Sequence, residues 1–144
     1  MQVTAAGPVT GTGVTIVNNG SVDMSGAASI TLAAPTVATA TLGAVPGVLF
    51  ANNVNLTGTS SITGSISGSA AAKLSGVLYF PKSNISISGA GFSAGSGNLC
   101  LEIVANFVTI SGSGSMTNSG CPAMGVATIG SGGTVTPGSA KLLY

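Results

Sequence analysis

The sequence predicts an all-β fold, a short right-handed parallel β-helix, and three observations carry that expectation. Apolar and polar residues alternate with a period of two, glycines punctuate the chain, and one strand grammar returns four times. Alternation of this period belongs to strands with one buried and one wet face. It is plainest in Val22-Asp23-Met24-Ser25, Ile30-Thr31-Leu32, Val54-Asn55-Leu56-Thr57, Ile85-Ser86-Ile87-Ser88 and Val108-Thr109-Ile110-Ser111. Helix has little foothold, because the one candidate, Gly68-Ser69-Ala70-Ala71-Ala72-Lys73-Leu74, is a turn or two long and flanked by glycine.

The repeated unit is an apolar strand, a corner of Asn, Pro or Lys, an alternating strand and a closing glycine. Gly13-Val14-Thr15-Ile16-Val17 leads to Val22-Asp23-Met24-Ser25-Gly26, and Gly47-Val48-Leu49-Phe50 leads to Val54-Asn55-Leu56-Thr57-Gly58. Gly76-Val77-Leu78-Tyr79-Phe80 leads to Ile85-Ser86-Ile87-Ser88-Gly89, and Cys100-Leu101-Glu102-Ile103-Val104 leads to Val108-Thr109-Ile110-Ser111-Gly112. One unit cannot bury its apolar stripe alone, whereas stacking units about 4.8 Å apart places equivalent Val, Ile and Leu above one another. The expected inward set is Val22, Met24, Val54, Leu56, Ile85, Ile87, Val108 and Ile110, with the handedness that crossover connections impose. A β-sandwich is the alternative, since short glycine-bounded strands also fit one. It calls for two-residue hairpin turns, and Asn19-Gly20 is the single such dipeptide.

Residues 1–144 read as one β-solenoid domain, a length that suffices to bury a core. Asp23, Glu102, Lys73, Lys82 and Lys141 are the only charged residues, 3% of the chain, against about 25% in an ordinary globular protein. Hydrophobic residues reach 44%, which separates the sequence from disordered chains of low hydrophobicity. Surface polarity comes instead from hydroxyls and amides, a composition expected outside the cytoplasm. A net charge of +1 without a lysine cluster gives nothing to neutralise phosphates, so nucleic acid is not an expected partner. No apolar run approaches the roughly 18–20 residues of a membrane span. Met1-Gln2-Val3-Thr4 opens without a basic or apolar leader, so the chain is expected to be a fragment or a mature domain.

Cys100 and Cys121 are spaced much as the last two closing glycines are, which puts them about one coil apart at matching phase. Neighbouring coils at about 4.8 Å fall inside the roughly 4.4–6.8 Å window of disulfide Cα atoms. A Cys100–Cys121 bond is therefore expected to staple the C-terminal coils, worth about 3 kcal/mol in the chain-entropy model. Two free buried thiols are the alternative. Because Cys100 shares its strand parity with Glu102, the bond is expected toward the outside or at a corner.

Catalytic chemistry is not expected. Without histidine there is no Ser-His or Cys-His pair and too few ligands for zinc, so no metal or other cofactor is expected. Asp23 and Glu102, the only carboxylate side chains, lie on the first and fourth repeats rather than facing one cleft. Lys73 near Ser75 and Lys82 near Ser83 read as solvated lysines, and Gly89-Ala90-Gly91 and Gly130-Ser131-Gly132-Gly133 read as turns rather than phosphate loops. Asn55-Leu56-Thr57 and Asn84-Ile85-Ser86 match the glycosylation sequon and fall in expected strands.

Taken together, Gly76-Val77-Leu78-Tyr79-Phe80-Pro81-Lys82, Ile85-Ser86-Ile87-Ser88-Gly89, Cys100-Leu101-Glu102-Ile103-Val104-Ala105-Asn106, Val108-Thr109-Ile110-Ser111-Gly112 and Cys121 resemble the C-terminal part of TadG-like proteins. These belong to the TadE/TadG group associated with tight-adherence (Flp) pilus assembly in bacteria. The similarity extends over residues 9–121, through Val9–Ile16, Ser29–Thr36 and Gly47–Phe50. It implies a non-catalytic accessory domain at the bacterial surface or in the periplasm, with pilus-assembly or other envelope proteins as partners and self-association possible in principle. The anchoring region that usually begins family members is not found here. A ligand-binding solenoid is the alternative, an adhesin for a glycan or surface or an ice-binding protein with ranked threonines. Thr39-Ala40-Thr41 and Thr134-Val135-Thr136 are Thr-X-Thr triplets that fall outside the matched strands.

Overall fold

The structure is a computed structural model and describes residues 7–20, 22–25, 29–37, 43–52, 63–68, 72–89, 93–94, 100–112 and 116–126. These form nine strands: β1 Val9–Thr12, β2 Ile16–Asn18, β3 Val22–Ser25, β4 Ile30–Ala33, β5 Val48–Asn52, β6 Thr63–Gly68, β7 Ala72–Gly89, β8 Ser93–Ala94 and β9 Leu101–Gly112. A single 3-10 turn, Cys121–Met124, follows them, with Pro122 near its start.

Every pairing among the described strands is parallel. Antiparallel hairpins, the mark of the sandwich alternative, are absent among the described residues. The strands join one curled sheet that divides into three ladders. The first runs β1-β4-β7-β8, with Leu32 opposite both Gly11 and Leu74, and Leu74 opposite Ala94. The second runs β2-β5-β7-β9 and aligns Ile16, Phe50, Leu78 and Ile103. The third runs β3-β6-β7-β9 and aligns Val22, Gly64, Ile85 and Val108. Strand β7, with 18 residues, passes through all three.

Bending one strand through successive ladders needs corners that keep their backbone hydrogen bonds. Between the first two ladders, Ala34 N–H donates to the Ser75 carbonyl at 2.8 Å and Gly76 N–H donates to the Cys100 carbonyl at 2.7 Å. Gly76 has φ 129° there, and a Cβ would come within 2.6 Å of the Ala34 Cβ. Only glycine fits both conditions. Between the second and third ladders the corner is amide-rich. Asn52 Nδ2 donates to the buried Ser83 Oγ at 3.3 Å, and Asn106 Nδ2 donates to Asn84 Oδ1 at 3.1 Å.

The core lies between the ladders and comprises Val22, Ile30, Leu32, Phe50, Leu74, Leu78, Phe80, Ile85, Ile87 and Leu101 among others. The rings of Phe50 and Phe80 approach to 6.1 Å between centroids. Each such side chain contributes about 1.5–3 kcal/mol on full burial. The same core continues to where the 3-10 turn meets the first corner: Met124, Leu49, Cys100 and Cys121 are fully or almost fully buried, and Ser75 Oγ donates to Met124 Sδ at 3.5 Å.

Several expectations are corrected here. The stretch facing Ile85–Gly89 on its other side is β6, with Gly68 opposite Gly89, so Gly58 is not the closing glycine of that repeat. Val54, Leu56 and Gly58 lie outside the described residues. Gly64 at the position of Ile85 left β6 without the apolar-X-apolar signature that the repeat was read by. Val108 and Ile110 are not buried: they are 37% and 48% exposed, because β9 ends the stack among the described strands. The side chain of Met24 lies outside the described residues. Gly68 and Ala72–Leu74, taken from sequence as the only possible helix, belong to strands.

Candidate functional site

Cys100 and Cys121 are bonded to each other, with Cα atoms 4.5 Å apart. Of the two places expected for it, the outside or a corner, the bond lies at a corner, and both residues are completely buried. Strand parity fails as a guide because Cys100 precedes the first residue of β9 and Cys121 opens the 3-10 turn, so the pair joins a corner to a turn rather than two matching strands. The bond holds Met124 against Ser75 and holds residues 116–118 close to β9, where Leu101 N–H donates to the Thr117 carbonyl at 2.9 Å.

The charged residues are not brought together by the pairing. Asp23 stands in the third ladder opposite Ser65, and Glu102 stands in the second opposite Val77, at the other end of the stack. Lys73 and Lys82 are exposed, and Lys141 lies outside the described residues. The hydroxyls beside the two lysines turn elsewhere, Ser75 to Met124 and Ser83 to Asn52, both buried. Asn84 of the sequon Asn84-Ile85-Ser86 is engaged by Asn106, while Asn55 lies outside the described residues. Among the described residues no group of three or more metal-ligating side chains occurs, and no helix is long and apolar enough to cross a membrane.

What the arrangement does offer is an edge. Strand β9 pairs with β7 along one side, and among the described residues no strand pairs with the other. Among the described residues, the Thr117 carbonyl covers its first residue, Leu101, and no other backbone bond to this side is found. From Phe107 to Ser111 every residue is exposed, Phe107 at 63%. One rung earlier in the same ladder Ile85 and Ile87 are 3% and 1% exposed, so the difference is positional and not compositional. The segment Ile103–Gly112 has no charged residue. An uncharged, partly apolar strand with a free side can accept another strand through main-chain hydrogen bonds.

The second ladder presents a further apolar column. Val17, Ala51, Tyr79 and Val104 stand in register, and Val17 and Tyr79 are exposed. Sequence reasoning passed over both features. Phe107 was the available signal, since it places an aromatic ring at the polar phase of Val108-Thr109-Ile110-Ser111. Comparisons with family models, with curated proteins and with solved structures find no match to this chain.

Proposed function

We infer that the three ladders are the faces of a short right-handed parallel β-helix, and that the domain works by protein–protein association rather than by turnover. In this reading it is a non-catalytic accessory domain of a TadG-like protein of the bacterial surface or periplasm, and its partners are pilus-assembly or other envelope proteins. The exposed, uncharged side of β9 carries the associative part of the proposal, because it joins backbone that no described strand pairs with to apolar side chains. The buried disulfide and the scarcity of charge support an oxidising compartment.

The test is pull-down and sedimentation of the chain with purified pilus-assembly proteins, alongside the chain alone over a concentration series. A complex lost on Phe107→Asp is the expected result. Monomeric behaviour throughout, with no binding to any assembly component, would reject the proposal.

One observation favours a second reading, a ligand-binding solenoid. The register ranks Asp23, Ser65, Ser86 and Thr109 in one column of the third ladder and Ser25, Ser67, Ser88 and Ser111 in another. Ser86 and Thr109, neighbours in register and both exposed, set two hydroxyls at strand spacing, which suits a repeating polar ligand such as a glycan chain or ice. Glycan-array binding or thermal hysteresis, lost on Thr109→Val, would decide for it.

A further inference from the structure

The Asn19-Gly20 dipeptide belongs by composition to tight hairpins, yet it makes none here. It joins β2 to β3, which lie in different ladders and do not pair with each other. A type I′ turn needs positive φ at both central residues, and neither Asn19 nor Gly20 has it.

An asparagine followed by glycine carries its own reaction. The nitrogen of the following residue can close a five-membered ring onto the side-chain amide carbon, provided that nitrogen is unbonded and unscreened. Both conditions hold at Gly20. A Cβ built there would meet no atom within 4 Å, and as glycine it has no side chain to shield its own nitrogen. Among the described residues its N–H donates to no acceptor. Asn18 Nδ2 closes the bend by donating to the Gly20 carbonyl at 2.6 Å, and Asn19 is left exposed. The other described asparagines lack this combination. The side-chain amides of Asn18 and Asn52 are bonded, to Gly20 and Ser83. Asn84 and Asn106 stand in β7 and β9, bond to each other and precede the bulky Ile85 and Phe107. Asn118 is exposed like Asn19, but Ser119 brings a side chain and its N–H donates to Thr117 Oγ1 at 3.4 Å.

We propose that Asn19-Gly20 is a self-modifying site, at which the folded chain converts its own asparagine to aspartate and isoaspartate with water as co-reactant. The Gly20 nitrogen gives up its proton to hydroxide and attacks Asn19 Cγ. The N–Cγ bond forms, the Cγ–Nδ2 bond breaks, and Nδ2 takes up a proton and leaves as ammonia. Water then opens the cyclic imide and a proton returns to the Gly20 nitrogen. Opening at Cγ gives aspartate. Opening at the main-chain carbonyl of residue 19 gives isoaspartate, whose main chain runs through Cγ and is one atom longer.

The consequence is a chain whose charge changes with age. Three lysines against two carboxylates give the net charge of +1, and a third carboxylate brings it to zero. The new charge joins Asp23 on the rung of β2 and β3, where β2 pairs with β5 alone among the described strands. Charge on an edge discourages a further strand, and this chain has little of it elsewhere.

Peptide mapping of the whole chain, incubated folded at neutral and mildly alkaline pH, tests this. Asn19 should convert at least about tenfold faster than Asn118, a barrier difference of about 1.4 kcal/mol, and should yield both aspartate and isoaspartate. The rate should rise with pH. Gly20→Ala should slow conversion at least about tenfold while keeping the wild-type far-UV circular dichroism, since the space for the methyl is open. Conversion of Asn19 no faster than that of Asn118, aspartate without isoaspartate, or an undiminished rate in Gly20→Ala would each overturn the proposal. So would a native rate more than about tenfold below that of the urea-unfolded chain, because the bend would then protect the amide. None of these outcomes touches the binding of envelope proteins, so this inference and the associative reading stand or fall separately.

Discussion

Replacing Gly76 with alanine isolates the cost of the corner that turns the first ladder into the second. Two penalties coincide at this position. With φ at 129° the backbone is in a region that L residues rarely adopt, at about 1–3 kcal/mol. The new Cβ would also meet the Ala34 Cβ at 2.6 Å, the Gly47 carbonyl oxygen at 3.0 Å and the Leu49 Cβ at 3.1 Å, all on short or backbone groups that cannot swing aside. Overpacking of that kind typically adds about 1–3 kcal/mol. Gly13 supplies the control, since it has φ 68° and nothing within 4 Å of a Cβ. Gly13→Ala should therefore lose only the conformational part, about 1 kcal/mol. Gly76→Ala should lose about 3–4 kcal/mol, a large share of the roughly 5–15 kcal/mol that holds a typical domain together. Urea unfolding of both variants with the disulfide intact gives the comparison directly, provided the m-values agree with the wild type. If the two variants are destabilised equally, within about 0.5 kcal/mol, the close packing of this corner is not what requires glycine.

Ile87→Asp should unfold the domain, because a carboxylate would stand almost without solvent in the middle of the third ladder; loss of the strand signal in far-UV circular dichroism checks it. Ser83→Ala removes the acceptor of Asn52 Nδ2 inside the second corner and should cost about 1–3 kcal/mol by chemical denaturation, whereas Ser86→Ala, on the exposed phase of the same strand, should change stability by less than about 0.5 kcal/mol. Native protein should yield no alkylatable thiol by intact mass. Cys100→Ala with Cys121→Ala should lower stability by about 3 kcal/mol; recovery of two free thiols from the native chain would reject the bond.

The second ladder was the most legible part of the sequence. Its four strands each bring an apolar run after Gly or Cys and do form one ladder. The register of Ile16, Phe50, Leu78 and Ile103, however, puts Leu78 one residue nearer its leading glycine than the other three are to their leading Gly or Cys, with a bulge between Val48 and Phe50 that no run announces. The Cys100–Cys121 pairing was legible from a spacing of about one coil, although the bond joins a corner to a turn rather than two strands at matching phase. The third ladder was half legible. Ile85 and Ile87 could be placed inward from alternation alone, but β6 contributes Gly64 where its neighbours have Val22 and Ile85, so no apolar period announces it. Periodicity likewise reports which phase of a strand is apolar and says nothing of whether another strand lies beyond it. That is why Ile110, identical in pattern to Ile87, has a different environment. The burial of the cysteines depended on the 3-10 turn folding back toward Ser75 and Gly47, a contact between residues far apart in sequence that no local pattern encodes.

The parallel pairing has a consequence for how this chain reaches its fold. No described strand is joined to its partner by a tight turn; each pairing closes a loop on the scale of a whole repeat before any hydrogen bond rewards it. Such topologies carry high contact order, and folding times of milliseconds to seconds go with them rather than microseconds. Strand β7 alone touches all three ladders without a break, so it is the natural template on which earlier and later strands assemble from either side. Until it is covered, its two long edges are also where unfinished chains would find one another.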